Sequence, residues 1–121
     1  MVFTGLDIIS EELPQKLKGK RISVLCHAPS INSGYRHITD IIVECGDCSL
    51  SAIFGPQHGL YGETQDNMIE WEGAYHNRLR VPVYSLYGLY RKPSREMLTD
   101  TDLFLIDLQD AGARLYTYIW T

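Results

Sequence analysis

Arg21-Ile22-Ser23-Val24-Leu25-Cys26, then the segment from Tyr35 to Cys45, then Leu50-Ser51-Ala52-Ile53-Phe54 decide how this chain folds. The outer two are apolar runs of strand length. Between them Tyr35, Ile38, Ile41, Ile42 and Cys45 recur on one helical face, Arg36, Asp40 and Glu44 fall on the other, and Gly46 supplies the stop. Strand, helix and strand joined by short connections form a βαβ unit, whose crossover is right-handed and whose strands are parallel. The fold class predicted from this unit is α/β, a Rossmann-like and mostly parallel sheet flanked by helices.

Upstream, Leu6, Ile9, Leu13 and Leu17 have roughly helical spacing, with Asp7 or Ser10 available as a cap, while Pro14 leaves open one helix or two turns. This segment is expected to cover an edge of the sheet. Downstream, Val81 to Leu86 reads as a third strand and Pro93 opens a short helix through Leu98. Leu103 to Leu108 is the most uniformly apolar run, which predicts a central parallel strand buried on both faces. Residues 67–80 divide between a partial helical period and an irregular connection. Gly112 permits a turn into a helix beginning near Arg114, and Tyr116 to Trp120 is an aromatic run with no stop signal. The expectation is that residues 1–121 form one Rossmann-like domain, an amino-terminal part of a larger two-domain protein, or that the aromatic end packs on a partner such as a second copy.

Composition narrows the class of function. In 121 residues, 45% are hydrophobic, 21% are charged and the net charge is -4, so nucleic acid finds no electrostatic footprint here. No apolar run approaches the roughly 20 residues of a membrane helix, and no basic segment followed by an apolar one marks a secretory signal, so a cytoplasmic protein is expected. Cys26, Cys45 and Cys48 do not make a disulfide framework. Cys45 and Cys48 sit at a helix carboxyl end, where the dipole disfavours a thiolate, and read as structural.

The functional residues are expected at the carboxyl ends of the strands, which a parallel sheet gathers on one edge. These ends carry His27 and Asn32; Gln57 to Asp66; Ser85 and Tyr87; and Asp107, Gln109, Asp110 and Arg114. With the first strand between the second and the last, the crevice opens between the loops that follow the first and last strands. The run Phe54-Gly55-Pro56-Gln57-His58-Gly59-Leu60-Tyr61-Gly62-Glu63-Thr64-Gln65-Asp66 is too polar and glycine-rich for core and reads as a shaped loop. Glu63 and Asp66 on it are carboxylates placed to reach a ligand. Asp107 is either a proton-transferring group or a structural carboxylate, and His58 either an acid or base or a loop anchor. With His27, Glu63 and Asp66, His58 lacks any metal-ligand spacing, so neither a metal nor another cofactor is expected. Tyr61, Trp71, Tyr87, Tyr90 and Tyr116 are able to stack on sugar rings or to make structural contacts.

Three motifs in order, Phe54-Gly55-Pro56-Gln57-His58-Gly59, Val83-Tyr84-Ser85-Leu86-Tyr87-Gly88 and the run from Leu103 to Tyr118, resemble the bacterial exo-β-N-acetylmuramidase family. The resemblance runs from Gly5-Leu6-Asp7 onward. It implies an amino-terminal Rossmann-like domain, a second domain closing an active cleft, and release of N-acetylmuramic acid from the non-reducing ends of peptidoglycan fragments in cell-wall turnover. Many members of that family have glutamate where this chain has Gln57, an amide that hydrogen-bonds but delivers no proton at neutral pH. The acid is then expected among Glu63, Asp66 and Asp107. Arg114 suits the lactyl carboxylate of a muramic acid, and Gln57, Gln109 and Asp110 suit its hydroxyls. A non-catalytic sugar- or nucleotide-binding module is the alternative.

Overall fold

The computed structural model describes residues 2–64, 70–113 and 117–121, and of residues 13 and 14 the backbone alone. The described chain builds a five-stranded sheet in the order β3-β4-β2-β1-β5 from β1 (Arg21–Cys26), β2 (Ser49–Gly55), β3 (Ala74–His76), β4 (Val81–Ser85) and β5 (Leu103–Asp107). Every pairing is parallel except that of β3 with β4. The α/β architecture and the placement of β1 between β2 and β5 follow the expectation.

Helices α1 (Gly5–Lys16) and α2 (Ile38–Glu44) cover one face of the sheet. Leu6 and Leu17 pack there with Ile38, Ile41 and Ile42 over Ile22, Val24 and Ile53. The amino-terminal helix is a single element rather than two turns, and it lies on a face rather than over an edge. Its cap is Thr4. Thr4 Oγ1 accepts from Asp7 N–H at 3.2 Å while Asp7 Oδ2 accepts from Thr4 N–H at 2.7 Å, a reciprocal capping box in which Asp7 is the third helical residue. Asp7 also accepts from Ser33 N–H at 2.7 Å, tying α1 to the loop after β1, and these amide bonds hold its carboxyl well below the usual carboxylate range.

The opposite face buries Leu25, Ala52, Phe54 and Leu86, with Phe104, Tyr84, Met97 and Leu98 against them. Phe54 is fully buried and stacks between Tyr84 and Phe104 at centroid distances of 5.2 and 5.1 Å. Such rings contribute roughly 1 kcal/mol per pair beyond area burial. This face is covered by the segment holding a 3₁₀ turn at Glu96–Leu98, a tighter element than the helix expected from Pro93.

Three further expectations are corrected. Leu103 to Leu108 is not central: β5 is the last strand of the described sheet, and Ile106 is 69% exposed. Leu103 and Leu105 pack on the cluster under α1 and α2 and Phe104 on the opposite one, so β5 is partly covered on both faces. Tyr35 is not helical; it stands at φ 59° and is exposed, so α2 begins at Ile38, one residue after an extended His37 that caps it. Residues 74–76 form a strand that no periodicity announced, because three residues are too few to show one.

Arg21 fixes the register of β1 on β5. Its guanidinium bonds both Asp100 and Asp102, its amide donates to Asp102 Oδ2 at 2.8 Å, and Ile22 then lies opposite Leu103. The Arg21 contacts hold the Asp102 carboxyl down to about 2. At the far edge Gly73 adopts φ +92°, and a Cβ there would lie 2.5 Å from the Val83 carbonyl oxygen. Gly73→Ala is expected to lower stability by at least about 2 kcal/mol through backbone strain and this collision, whereas Gly19→Ala, also at positive φ but in open space, costs about 1 kcal/mol; urea denaturation midpoints of the two variants check the difference.

Candidate active site

The loops after β1 and β5 meet over the sheet edge and are stitched together by His27. This residue is 2% exposed. Its backbone N–H donates to Ser30 Oγ at 3.0 Å, and Ser30 in turn donates to the Asp107 carbonyl at 2.5 Å. The ring Nε2 accepts from Gln109 N–H at 2.9 Å, which places the proton of the neutral imidazole on Nδ1. His37 closes the arrangement. Its Nε2–H donates to the His27 carbonyl at 2.9 Å, and its Nδ1 accepts from Thr39. The ring of Tyr118 stands edge-on to His27 at 4.6 Å.

Asp107 sits opposite Cys26 in the register, at the carboxyl end of β5, half-buried. Burial pushes its carboxyl above the ordinary aspartate value, opposed by the nearby His37. The same burial, together with Asp107, pushes the Cys26 thiol up, so Cys26 is no nucleophile. Asp107 Oδ2 and His27 Nδ1 are buried and find no hydrogen-bond partner among the described residues. A buried polar atom left unpaired costs on the order of 1–3 kcal/mol.

The glycine-rich loop after β2 is braced by its own polar side chains. His58, at φ 74°, donates from Nδ1 to the Thr64 carbonyl at 2.9 Å, and Thr64 N–H returns a bond to the His58 carbonyl at 3.2 Å. Glu63 folds back over Gly59, where a Cβ would come within 2.6 Å of its Cδ, and accepts from Tyr61 N–H at 2.7 Å. Trp71 wedges the base of the loop: its indole N–H donates to the Pro56 carbonyl at 3.1 Å and its ring lies against Gly55. Gln57 is 3% exposed, and its Oε1 accepts from the Thr117 hydroxyl at 2.9 Å, so residues 117–118 run back over the loops after β1 and β2.

Other expected residues are spent on local structure. Asn32 Oδ1 accepts from the amides of Gly34 and Arg36, Ser85 Oγ accepts from Tyr87 N–H, and Asp110 Oδ1 accepts from Gly112 N–H. The ring of Tyr87 lies under the Arg91 guanidinium at 4.2 Å. Asp107 and Gln109 line a cavity with Ile38, whereas Glu63 lines a different one with Tyr61, Trp71 and His76. Asp66, Arg114 and Tyr116 lie outside the described residues. Among the described residues no group of three His, Cys, Asp or Glu side chains is placed to hold a metal ion, and no helix is long and apolar enough to cross a membrane. The Cys48 thiol is pushed up to about 11 by burial and by its contact with Cys45, the behaviour of a structural cysteine.

Ser30, His37 and Thr117 were not legible as site residues. His37 had one available signal, its position directly before the apolar period that opens at Ile38, where a capping side chain belongs.

Comparison with known proteins follows the same lines. A family model described as the amino-terminal part of the exo-β-N-acetylmuramidase NamZ matches residues 22–121. A Bacillus subtilis protein named peptidoglycan β-N-acetylmuramidase NamZ is 41% identical over 121 residues, covering 99% of this chain and 29% of that protein. Two crystal structures of DUF1343 family proteins from Bacteroides fragilis superimpose with TM-scores of 0.81 and 0.68, at 35% and 29% identity, covering 97% and 96% of this chain and 28% of each of theirs. The chain thus spans less than a third of the length of the relatives it matches.

His27 is held neutral by burial, with a smaller push from His37, so its folded value lies below the ordinary imidazole value near 6.5. Between those two values the unfolded chain binds the extra proton, so stability is present in full above about 6.5 and is lost as pH falls through the depressed folded value. Urea midpoints measured between pH 7 and pH 5 are expected to fall in the native chain and to lose that component of the slope in His27→Asn.

Proposed function

This chain belongs to the exo-β-N-acetylmuramidase family through its amino-terminal domain, and on that premise we propose that it forms one wall of a saccharide site in a glycosidase that releases N-acetylmuramic acid from the non-reducing ends of peptidoglycan fragments. The observation that carries this reading is Asp107. Glycoside hydrolysis needs a carboxyl group that still holds its proton near neutral pH, next to a second carboxylate facing the sugar. Among the described carboxylates of the edge, Asp107 is the one whose burial shifts it in that direction.

In this reading Asp107 donates its proton to the leaving glycosidic oxygen. The backbone around it, stitched by Ser30 and His27, keeps it on station. Glu63 is bonded into its own loop, so Asp66 on the same loop is the second carboxylate of choice. Gln57, its oxygen held by Thr117, stands where many relatives have glutamate, and an amide there suits a sugar hydroxyl, as do Gln109 and Asp110. Asn32, Ser85, Tyr87 and His58 shape the loops around the ligand. Arg114 pairs with the lactyl carboxylate and Tyr116 stacks on the ring. The loss of glutamate at Gln57 also favours a second reading, a module that binds the saccharide without cleaving it.

The test uses the complete gene product and a chromogenic N-acetylmuramide. Asp107→Asn is expected to lower kcat by about 10²- to 10⁴-fold, the usual yield of a positioned acid, while Glu63→Gln stays within about tenfold of the parent. The parent rate is expected to fall on the alkaline side as Asp107 loses its proton. Full activity in Asp107→Asn removes it from the mechanism, and saccharide binding with no turnover in the parent protein establishes the binding module instead.

A further inference from the structure

A separate cavity opens on the same rim, at the carboxyl end of β4. It has a volume of about 380 Å³ and lies between Trp71 and Glu72 on one side and Ser85, Leu89 and Tyr90 on the other. It shares no lining residue with the cavity of Asp107 and Gln109. Its size falls within the roughly 300–1,000 Å³ of small-ligand sites.

The walls of this cavity are clamped together. Trp71 N–H donates to the Tyr87 carbonyl at 3.2 Å, and Arg91 binds Glu70 at 2.8 Å. Gly88 comes so close to the opposite wall that a Cβ there would stand 2.6 Å from the Trp71 carbonyl oxygen. The indole of Trp71 is fixed by its bond to the Pro56 carbonyl. The groups left around the space are those that recognise a sugar. Tyr90 is 45% exposed and Glu72 is exposed beside it on the lining. Ser85 Oγ accepts from Tyr87 N–H at 3.0 Å and has its own proton to donate. An aromatic ring offers a face to the C–H edges of a pyranose, while a carboxylate and a hydroxyl bond its polar groups.

Strand register gives the distance from Asp107. Strands β5, β1, β2 and β4 are neighbours in that order. Asp107 lies opposite Cys26 and Ser85 opposite Gly55, and the pairing of Leu25 with Phe54 sets Cys26 level with Gly55. Asp107 and Ser85 therefore end one row of the sheet, roughly 14 Å apart across the intervening strands. That span exceeds one sugar ring and suits a short β-linked oligosaccharide. Resting on the glycosidase reading above, we propose that the cavity holds an N-acetylhexosamine unit of the leaving chain, beyond the sugar bonded to the departing oxygen at Asp107. The domain then grips a glycan at two points and favours chains over single glycosides.

The test compares two substrates of the complete gene product. One is a chromogenic N-acetylmuramide, which fills only the position at Asp107. The other is a peptide-free tetrasaccharide of the peptidoglycan backbone with N-acetylmuramic acid at its non-reducing end. Tyr90→Ala is expected to raise KM for the tetrasaccharide about tenfold at unchanged kcat, the mark of lost ground-state binding, and Tyr90→Phe to restore it. KM for the N-acetylmuramide is expected to move by less than about twofold. Glu72→Gln, on an exposed side chain, is expected to do the same and keeps the test independent of any folding defect in Tyr90→Ala. Equal KM changes on both substrates, or none on the tetrasaccharide, overturn the subsite while the glycosidase stands. Absence of turnover on both substrates fails the glycosidase reading alone, and calorimetry then decides. Tighter tetrasaccharide binding by the parent than by Tyr90→Ala upholds the subsite, and equal or absent binding overturns it.

Discussion

Pairing of β1 with β5 is the constraint on which the remaining structure depends. These strands are far apart in sequence, and Arg21 bridges them at one end by binding Asp100 and Asp102. At the other end His27, Ser30 and Gln109 do the same. With both ends fixed, Cys26 lies opposite Asp107 and the two loops that follow must meet. A slip of one residue would turn Asp107 to the other face.

That adjacency also explains why the edge is chemically uneven. Amides and hydroxyls are used up in stitching the loops together, and the glycine-rich loop consumes His58 and Glu63 in holding its own shape. Asp107 is the exception. Its backbone carbonyl takes part in the stitching while one oxygen of its carboxyl is buried without a partner among the described residues. Burial of that carboxyl disfavours its ionised form, and the nearby His37 opposes this only in part. The chemistry open to the domain follows from which polar groups are not committed to loop architecture.

Side-chain packing on the two faces is unequal for a related reason. The face under α1 and α2 has helices whose apolar stripes were encoded locally, and its core residues Ile22, Val24, Ile42 and Ile53 are fully buried. The other face relies on a 3₁₀ turn and aromatic stacking around Phe54. Phe104 and Ile106 grade from half-buried to exposed along β5, so the sheet is least covered toward its outer strand.

By itself the sequence determined the strand and helix segments around Arg21 to Phe54, the parallel sense of their pairing, and the gathering of polar residues at one edge, because periods of two and 3.6 residues and short connections are local properties. It also determined the family, since the motifs around Gln57, Ser85 and Asp107 are contiguous. What only the tertiary structure decided is which polar side chains are spent within their own loops and which stay available. The bond from Gln109 to His27 spans 82 positions and that from Thr117 to Gln57 spans 60. No local pattern records such contacts, because they exist only once the sheet has placed the two loops side by side.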